Sequence, residues 1–322
     1  DRWDVLERLP RSVDRDAVIA RRPQLAIVDE REIIAEALPI RGLATVDLAH
    51  STAGRLAFVS VQSSSPGGVT QALADRVVER GATLRLSTPV TNAGPGWVEV
   101  NGNERISVGH IINAAGLYAD RVAHWFGVGM DYRMLPFKGL YWYGNWSKGK
   151  LKRHVYPVPD LRNPFLGVHV TVTVDGLAKL GPTAIPAMWR EDYGHITDII
   201  PKESFEIAGL YPRFLTSKHH DVPALLKSEF PKYVRRYLVK QAQGLVPSVN
   251  AKEFKKRGKP GVRAQLLHLP TKKLEMDFVV EPGEKSTHML NAVSPAWTSA
   301  LAVGEYVVER IHAGGFTDPI KG

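Results

Sequence analysis

Residues 112–116 (INAAG) form the segment of the chain best suited to hold a cofactor. An apolar strand end without bulky side chains lets a ligand approach the backbone. A helix that begins directly afterwards offers free N–H groups to a phosphate. A close crossing between a strand and a helix requires the same small residues, so both interpretations stay open on this segment alone.

Residues 291–299 (NAVSPAWTS) form a second segment that could face an anion. Ser294 can cap a helix and Pro295 suits its first turn. A helix N-terminus placed there would stabilise negative charge, including the charge that accumulates on a flavin ring when it accepts a hydride. Ordinary capping explains both residues equally well.

Hydrophobic periodicity predicts the elements that position the first segment. Val69, Leu73 and Val77 share one face of a predicted helix over residues 66–81, and Gly81 ends it. Strands are predicted at residues 83–90, 97–100 and 111–112. A helix at residues 117–126 then follows the small residues directly, so the pattern is strand, tight turn, helix.

The middle of the chain changes character, because alternating apolar residues predict successive antiparallel strands at residues 140–143, 154–157, 165–174 and 177–181. Helices are predicted at residues 223–229 and 231–243, strands at 262–269, 277–280 and 288–291, and a last helix at 295–311. This order predicts an α/β (α+β) fold: a cofactor domain interrupted by an antiparallel-sheet substrate domain.

Composition limits the classes of function. The 322 residues carry a net charge of +9 and no cysteine, so thiolate metal sites, cysteine nucleophiles and flavin attachment through sulfur are excluded for this chain. The charge favours anionic partners. The basic stretches 148–153 and 252–259 are interpreted as solvated loops, and no nucleic-acid-binding motif accompanies them. No apolar run is long enough to span a membrane, which leaves peripheral contact as a hypothesis.

Several motifs carry a resemblance to a known family. They are residues 136–139 (PFKG), 154–160 (HVYPVPD), 164–171 (PFLGVHVT), 180–184 (LGPTA) and 261–265 (GVRAQ), together with the segment around Ser294. In this order they resemble the L-2-hydroxyglutarate dehydrogenases and oxidases, which belong to the D-amino-acid-oxidase-like flavoproteins. The similarity extends from about residue 25 to residue 311.

The resemblance implies a Rossmann-like FAD-binding domain at residues 1–132 and 259–322, with a substrate domain at residues 133–258. It implies FAD as the cofactor and no metal. The cofactor contacts that it implies are Ala115, Gly116, Gly261, Ser294, Pro295, Trp297 and Thr298. The polar residues expected near a dicarboxylate substrate are Lys138, Tyr156, His169 and Arg263, because two carboxylates need separate donors.

The implied reaction is oxidation of a 2-hydroxy acid to the 2-oxo acid, with electrons passed to quinone or oxygen. An amino-acid or amine oxidase of the same superfamily is the first alternative, and a flavin-free, non-catalytic homologue is the second. A cytoplasmic protein, with possible peripheral contact at the inner membrane, is expected.

Two family features are missing from this sequence. It has no G-x-G-x-x-G element and no early His-Ser-Gly stretch, so no catalytic base is assigned. We therefore expect that the FAD-binding domain of this chain is incomplete at its N-terminus.

Overall fold

The computed structural model describes residues 46–50, 56–60, 66–145, 154–157, 165, 167–194, 199–219, 222–293, 296–314 and 320–321. These residues form a mixture of helices and strands, which confirms the predicted α/β class. Across these parts of the chain, no helix has the length and apolar character needed to cross a membrane.

The helices are short and distributed along the chain. They are α1 (Pro66–Glu79), α2 (Ala119–His124), α3 (Pro201–Ala208), α4 (Tyr211–Leu215), α5 (Val222–Glu229), α6 (Arg235–Gln243) and α7 (Ala300–His312). Two 3-10 turns, Gly116–Tyr118 and Phe230–Tyr233, precede α2 and α6.

The strands are also short. The first ten are β1 (Val46–His50), β2 (Leu56–Ser60), β3 (Val90–Gly94), β4 (Trp97–Val100), β5 (Glu104–Ser107), β6 (Ile111–Asn113), β7 (Tyr132–Met134), β8 (Phe137–Gly139), β9 (Trp142–Gly144) and β10 (His154–Tyr156). The others are β11 (His169–Val172), β12 (Ala178–Gly181), β13 (Ile185–Pro186), β14 (Phe254–Arg257), β15 (Gly261–Arg263), β16 (Leu266–His268), β17 (Lys273–Leu274), β18 (Val279–Gly283), β19 (Ser286–Asn291) and β20 (Ile320–Lys321).

The chain divides into two compact units. The first comprises Asp1–Leu84, Gly144–Val158 and His169–Lys179. Its described part contains α1 and the neighbouring antiparallel strands β1, β2, β10 and β11. The antiparallel arrangement predicted around residues 154–157 is therefore present in this unit.

The second unit comprises Arg85–Tyr143, Pro159–Val168 and Leu180–Gly322. It contains three-stranded sheets in the orders β13-β8-β15, β17-β16-β7 and β3-β4-β5, and a four-stranded sheet in the order β20-β18-β19-β6. In the last of these, β19 and β6 run parallel, with Thr287 opposite Ile112 and His288 opposite Asn113. The predicted domain boundaries follow a different division and stay a prediction.

Buried apolar clusters hold the sheets of the second unit in place. One lies under β8 and includes Leu135, Phe137, Phe165, Phe214, Val222, Leu225, Leu267 and Leu274. Another lies between α2, β7 and β19 and includes Ala123, Tyr132, Met134, Leu266, Val279 and Leu290. Burial of such side chains stabilises a fold by about 1.5–3 kcal/mol each, so these clusters can fix the positions of the neighbouring polar residues.

Several predicted elements differ from the structure. β9 is shifted toward the C-terminus relative to the strand predicted at residues 140–143, and β11 is shorter than the strand predicted at residues 165–174. For three other elements the difference has a structural reason. The strand predicted at residues 83–90 begins at Val90, because Ser87 adopts a φ of 51° that interrupts an extended chain and Leu86 is 75% exposed. The strand predicted at residues 262–269 is divided into β15 and β16, which pair with different strands, β8 and β7. The last helix begins at Ala300 rather than at residue 295, after a turn at residues 296–299.

Candidate functional site

The predicted cofactor segment forms a tight turn after β6. Its Asn113 is buried, while Ala114, Ala115 and Gly116 are exposed. Gly116 has a φ of +55°, and a Cβ atom added there would meet nothing within 4 Å. The backbone of this turn is therefore open to an approaching ligand.

This turn borders a cavity of about 500 Å³, which we call the alanine-rich cavity. Small residues from three elements line it: Ala114, Gly116, Ala292, Ala296, Ala300 and Gly304. Ala114 directly follows β6 and Ala292 directly follows β19, so the carboxyl ends of two parallel neighbours meet here. In open α/β sheets ligands bind beyond such strand ends.

Large apolar side chains also line the alanine-rich cavity and remain open to solvent. Ile112 is 49% exposed and Trp297 is 45% exposed. The volume lies in the range of about 300–1,000 Å³ that small-molecule sites occupy. A ligand with an apolar surface would cover these side chains.

A buried polar group supports the turn from below. The Asn113 side chain accepts a hydrogen bond from the Ala115 N–H (3.2 Å) and donates one to the carbonyl of Ala119 (2.8 Å). Its amide nitrogen also lies 3.1 Å from Nδ1 of His288, and Nε2 of that histidine lies 2.9 Å from the Ser286 hydroxyl. Burial, with a contribution from His110, lowers the pKa of His288 to about 4, so the ring is neutral at pH 7.

A buried ion pair anchors the helix that follows the turn. Arg190 donates from both terminal nitrogens to the Asp120 carboxylate, at 2.7 and 3.0 Å, and also to the carbonyl of Leu117. Asp120 also accepts the backbone N–H groups of Arg121 and Met134. Burial alone would raise the pKa of Asp120, but the Arg190 guanidinium and these hydrogen bonds outweigh it, so the pKa is lowered.

A second cavity of about 460 Å³ lies beside β8 and β14, and we call it the basic cavity. Lys138 and Arg257 line it, together with Tyr193 and Tyr233. Lys138 forms a 2.7 Å ion pair with Asp192, a carboxylate whose side chain is only 2% exposed. Burial raises the pKa of Tyr233, and the negative charge of Asp192 raises it further. The Tyr233 hydroxyl therefore stays protonated near neutral pH. Cationic and hydroxyl donors around one cavity suit an anionic ligand.

Arg263 lies on the other face of the same sheet. It is opposite Phe137 in the β15–β8 register, and its guanidinium lies 5.5 Å from the ring of Phe165. Burial lowers its pKa, while Tyr141 and Glu229 act in the opposite direction. The structure therefore packs Arg263 against the aromatic cluster, and its role toward a substrate stays a prediction.

Tyr156 and His169 lie together in the first compact unit. Their ring centroids are 4.5 Å apart, on the neighbouring strands β10 and β11. Burial raises the pKa of Tyr156, so its phenol stays protonated. The two residues form one local pair, and their contact with a substrate stays a prediction.

The predicted cofactor contacts are distributed over several places. Gly116 and Trp297 line the alanine-rich cavity together, and Ala115 lies in the turn beside it. Gly261 pairs with Gly139 across β15 and β8. Thr298 lies in the exposed turn before α7, whereas Ser294 and Pro295 lie outside the described residues.

Sequence reasoning missed three residues that the structure brings to these sites. Asp192 pairs with Lys138 and lines the basic cavity, Arg257 lines the same cavity, and His288 contacts Asn113. For Arg257 the signal was the basic stretch at residues 252–259, which was interpreted as a solvated loop but contains β14. Among the described residues, no group of three or more His, Cys, Asp or Glu side chains is placed to hold a metal ion.

Comparison with known proteins gives consistent matches. The profile of the family described as FAD dependent oxidoreductase (DAO) matches residues 5–310. L-2-hydroxyglutarate dehydrogenase, mitochondrial, of Mus musculus is 33% identical over 226 residues, covering 66% of this chain and 46% of the relative. The protein of the same name from Homo sapiens is 29% identical over 303 residues, covering 90% and 64%. The chain spans about half the length of the curated relatives it matches.

A solved structure supports the fold. The dithionite-reduced L-alpha-glycerophosphate oxidase of Mycoplasma pneumoniae with FAD bound aligns with a TM-score of 0.52 at 23% identity. The alignment covers 74% of this chain and 54% of that chain. This likeness concerns the fold alone.

Proposed function

Because this chain belongs to the family of FAD dependent oxidoreductases, we propose that it takes part in FAD-dependent oxidation of a 2-hydroxy dicarboxylate such as L-2-hydroxyglutarate to the 2-oxo acid. The observation that carries the proposal is the alanine-rich cavity at the carboxyl ends of β6 and β19. The substrate class comes from the curated relatives, which bear the name L-2-hydroxyglutarate dehydrogenase.

The residues of the alanine-rich cavity fit part of FAD. Its small side chains leave the backbone at Ala114, Gly116 and Ala292 accessible, and nothing lies within 4 Å of a Cβ placed on Gly116 or Gly304. Trp297 would lose exposed apolar surface on contact with an aromatic ring, which favours binding by about 25 cal/mol per Å². When bound, FAD would supply the acceptor of the hydride.

The basic cavity supplies the donors that a carboxylate substrate requires. An ammonium group has three N–H donors, so Lys138 can hold Asp192 with one and present the others to a ligand. Arg257 adds a guanidinium, which can bind a carboxylate through two parallel hydrogen bonds. These residues would bind and orient the acid, whereas the base that removes its hydroxyl proton is not assigned.

The electron acceptor, quinone or oxygen, is part of the same proposal. The full-length native protein, purified under conditions that retain flavin, is examined by visible absorption before and after anaerobic addition of L-2-hydroxyglutarate. Bleaching of the flavin band is the expected result. Subsequent admission of oxygen or of a soluble quinone identifies the acceptor by the return of the band.

Other results would contradict the proposal in distinct ways. Bleaching by glycine or sarcosine, but not by the hydroxy acid, would assign the chain to amine oxidation. A protein without a flavin band that also fails to bind added FAD would contradict the cofactor and favour a non-catalytic homologue.

A further inference from the structure

Asn113 and His288 lie side by side on the parallel strands β6 and β19, below the turn that borders the alanine-rich cavity. Asn113 is 4% exposed and His288 is fully buried. His288 does not line the cavity itself. An influence of His288 on a ligand there is therefore indirect, and its side chain contacts Asn113 at the base of the turn.

The hydrogen bonds define the orientation of the Asn113 amide. The oxygen must face Ala115, whose backbone N–H donates to it, and the nitrogen must face the carbonyl of Ala119. The side chain thus bridges both ends of residues 115–119. Gly116, which lines the cavity, lies within this bridged segment.

The amide orientation in turn defines the tautomer of His288. The Asn113 amide nitrogen is a donor without acceptor capacity, so Nδ1 of His288 must accept its hydrogen bond. The ring proton therefore resides on Nε2, which faces the Ser286 hydroxyl at 2.9 Å. A protonated imidazole would turn a second donor toward the Asn113 amide.

The packing around the imidazole leaves little freedom to rotate away. The ring of Phe126 lies with its centroid 4.9 Å from that of His288. A Cβ atom added at Gly283 would lie 2.5 Å from the Ser286 oxygen and 3.2 Å from Nε2. This close approach holds the ring and its hydroxyl partner in one arrangement.

We propose that His288 is a positioning residue: through its Nδ1 acceptor it fixes the Asn113 amide, and the amide fixes the turn at residues 113–116 in the conformation that receives the cofactor. The proposal rests on the proposed function to the extent that FAD occupies the alanine-rich cavity. The hydrogen bonds that connect His288 to Asn113 and Asn113 to the turn do not require a bound ligand.

The test compares three replacements of His288 in the full-length protein. His288→Asn retains an acceptor close to the position of Nδ1, whereas His288→Leu and His288→Gln remove it. The readouts are the Kd for FAD, from flavin fluorescence during reconstitution of the apoprotein, and backbone hydrogen exchange over residues 113–118 without FAD. Far-ultraviolet circular dichroism verifies folding of each variant.

Loss of the acceptor is expected to raise the Kd for FAD about tenfold, the effect of one hydrogen bond to a buried group. The Ala115 amide should exchange faster in the same variants. His288→Asn should stay within about threefold of the wild-type Kd. If His288→Leu does not fold, the comparison of His288→Asn with His288→Gln tests the acceptor. The 15N spectrum of His288 in the wild-type protein tests the tautomer independently.

Two results would overturn the positioning role. One is wild-type exchange at Ala115 and wild-type FAD affinity in a folded His288→Leu or His288→Gln variant. The other is a 15N spectrum with the proton on Nδ1. Failure of the wild-type protein to bind FAD would instead contradict the proposed function, and the exchange at Ala115 would still test His288.

Discussion

Lys138 and Arg263 lie on the adjacent strands β8 and β15, yet their side chains project from opposite faces of the sheet. Directly paired residues share a face and consecutive residues alternate. Arg263 pairs with Phe137, whereas Lys138 pairs with Val262. Lys138 accordingly reaches Asp192 and the basic cavity, and Arg263 reaches Phe165. The two cations therefore face different surroundings.

Replacement of Arg257 tests the basic cavity as the substrate site. Arg257→Met removes an exposed guanidinium from the cavity lining, and we expect KM for L-2-hydroxyglutarate to rise roughly tenfold, which corresponds to about 1.4 kcal/mol. Lys255→Met is the matched control, because Lys255 is exposed on the same strand but does not line the cavity. Steady-state kinetics of both variants give the comparison.

Arg263 offers a second contrast with Arg257. Arg263→Met should lower the midpoint of thermal unfolding, because the guanidinium packs on an aromatic ring in the interior, and should change KM less than Arg257→Met does. If Arg263→Met changes KM more than Arg257→Met does and leaves the unfolding midpoint unchanged, Arg263 binds the substrate, as the family resemblance implied.

The buried pair of Asp120 and Arg190 is expected to dominate the stability of the segment behind the turn. Arg190→Met leaves a carboxylate that is 1% exposed without its cation, and loss of one partner of such a pair costs about 3–5 kcal/mol. The double variant Asp120→Leu/Arg190→Met should recover part of this loss, because it leaves no charge of the pair behind. Urea unfolding of the wild type, of Asp120→Leu, of Arg190→Met and of the double variant gives the coupling between the two residues, and additive losses would contradict the pairing.

Local sequence patterns predicted the turn after β6 well, because the residues that form it are neighbours in the sequence. A short apolar strand, small residues and a helix stand next to each other at residues 111–124, and they form the turn in the structure. The predicted start of α7 was wrong, because residue types alone do not show where a turn ends and a helix begins. Ser294 and Pro295 have the residue types of a helix start, but the turn at residues 296–299 delays the helix to Ala300.

The surroundings of the polar residues could not be read from the sequence, because they depend on register. Lys138 and Arg263 belong to similar short strands, and only the pairing of β8 with β15 separates their faces. Asp192 lies 54 residues after Lys138, and His288 lies 175 residues after Asn113. No local periodicity encodes contacts over such separations.

The space around Gly304 provides a direct test of the alanine-rich cavity. Gly304→Phe should fill the cavity and raise the Kd for FAD at least tenfold, since nothing lies within 4 Å of a Cβ at this position and the ring would extend into the opening. Gly304→Ala is the control: within α7 it should stabilise the fold by about 1 kcal/mol and leave FAD binding nearly unchanged. Equal FAD affinities of the two variants would place the cofactor elsewhere.

The buried imidazole of His288 should make the folded protein less stable in acid. Burial and the neighbouring His110 lower its pKa from 6.5 to about 4, so between these values the unfolded chain binds a proton that the folded chain does not. The free energy of unfolding should therefore fall as the pH decreases from about 6.5 to about 4, by about 3 kcal/mol in total from this group. Above pH 6.5 its contribution is fully present.

His288→Asn lacks this titration and serves as the comparison. Among the described residues, the titratable group that acts on His288 is His110, and burial lowers the pKa of His110 as well. His110 is present in both proteins. The side chains in contact with His288, Asn113, Ser286 and Phe126, do not titrate in this range. Urea unfolding, followed by circular dichroism from pH 7 to pH 4, should show the free energy of unfolding of the wild type falling by about 3 kcal/mol relative to that of His288→Asn. Parallel curves over this range would mean that the folded protein accepts a proton on His288 without cost.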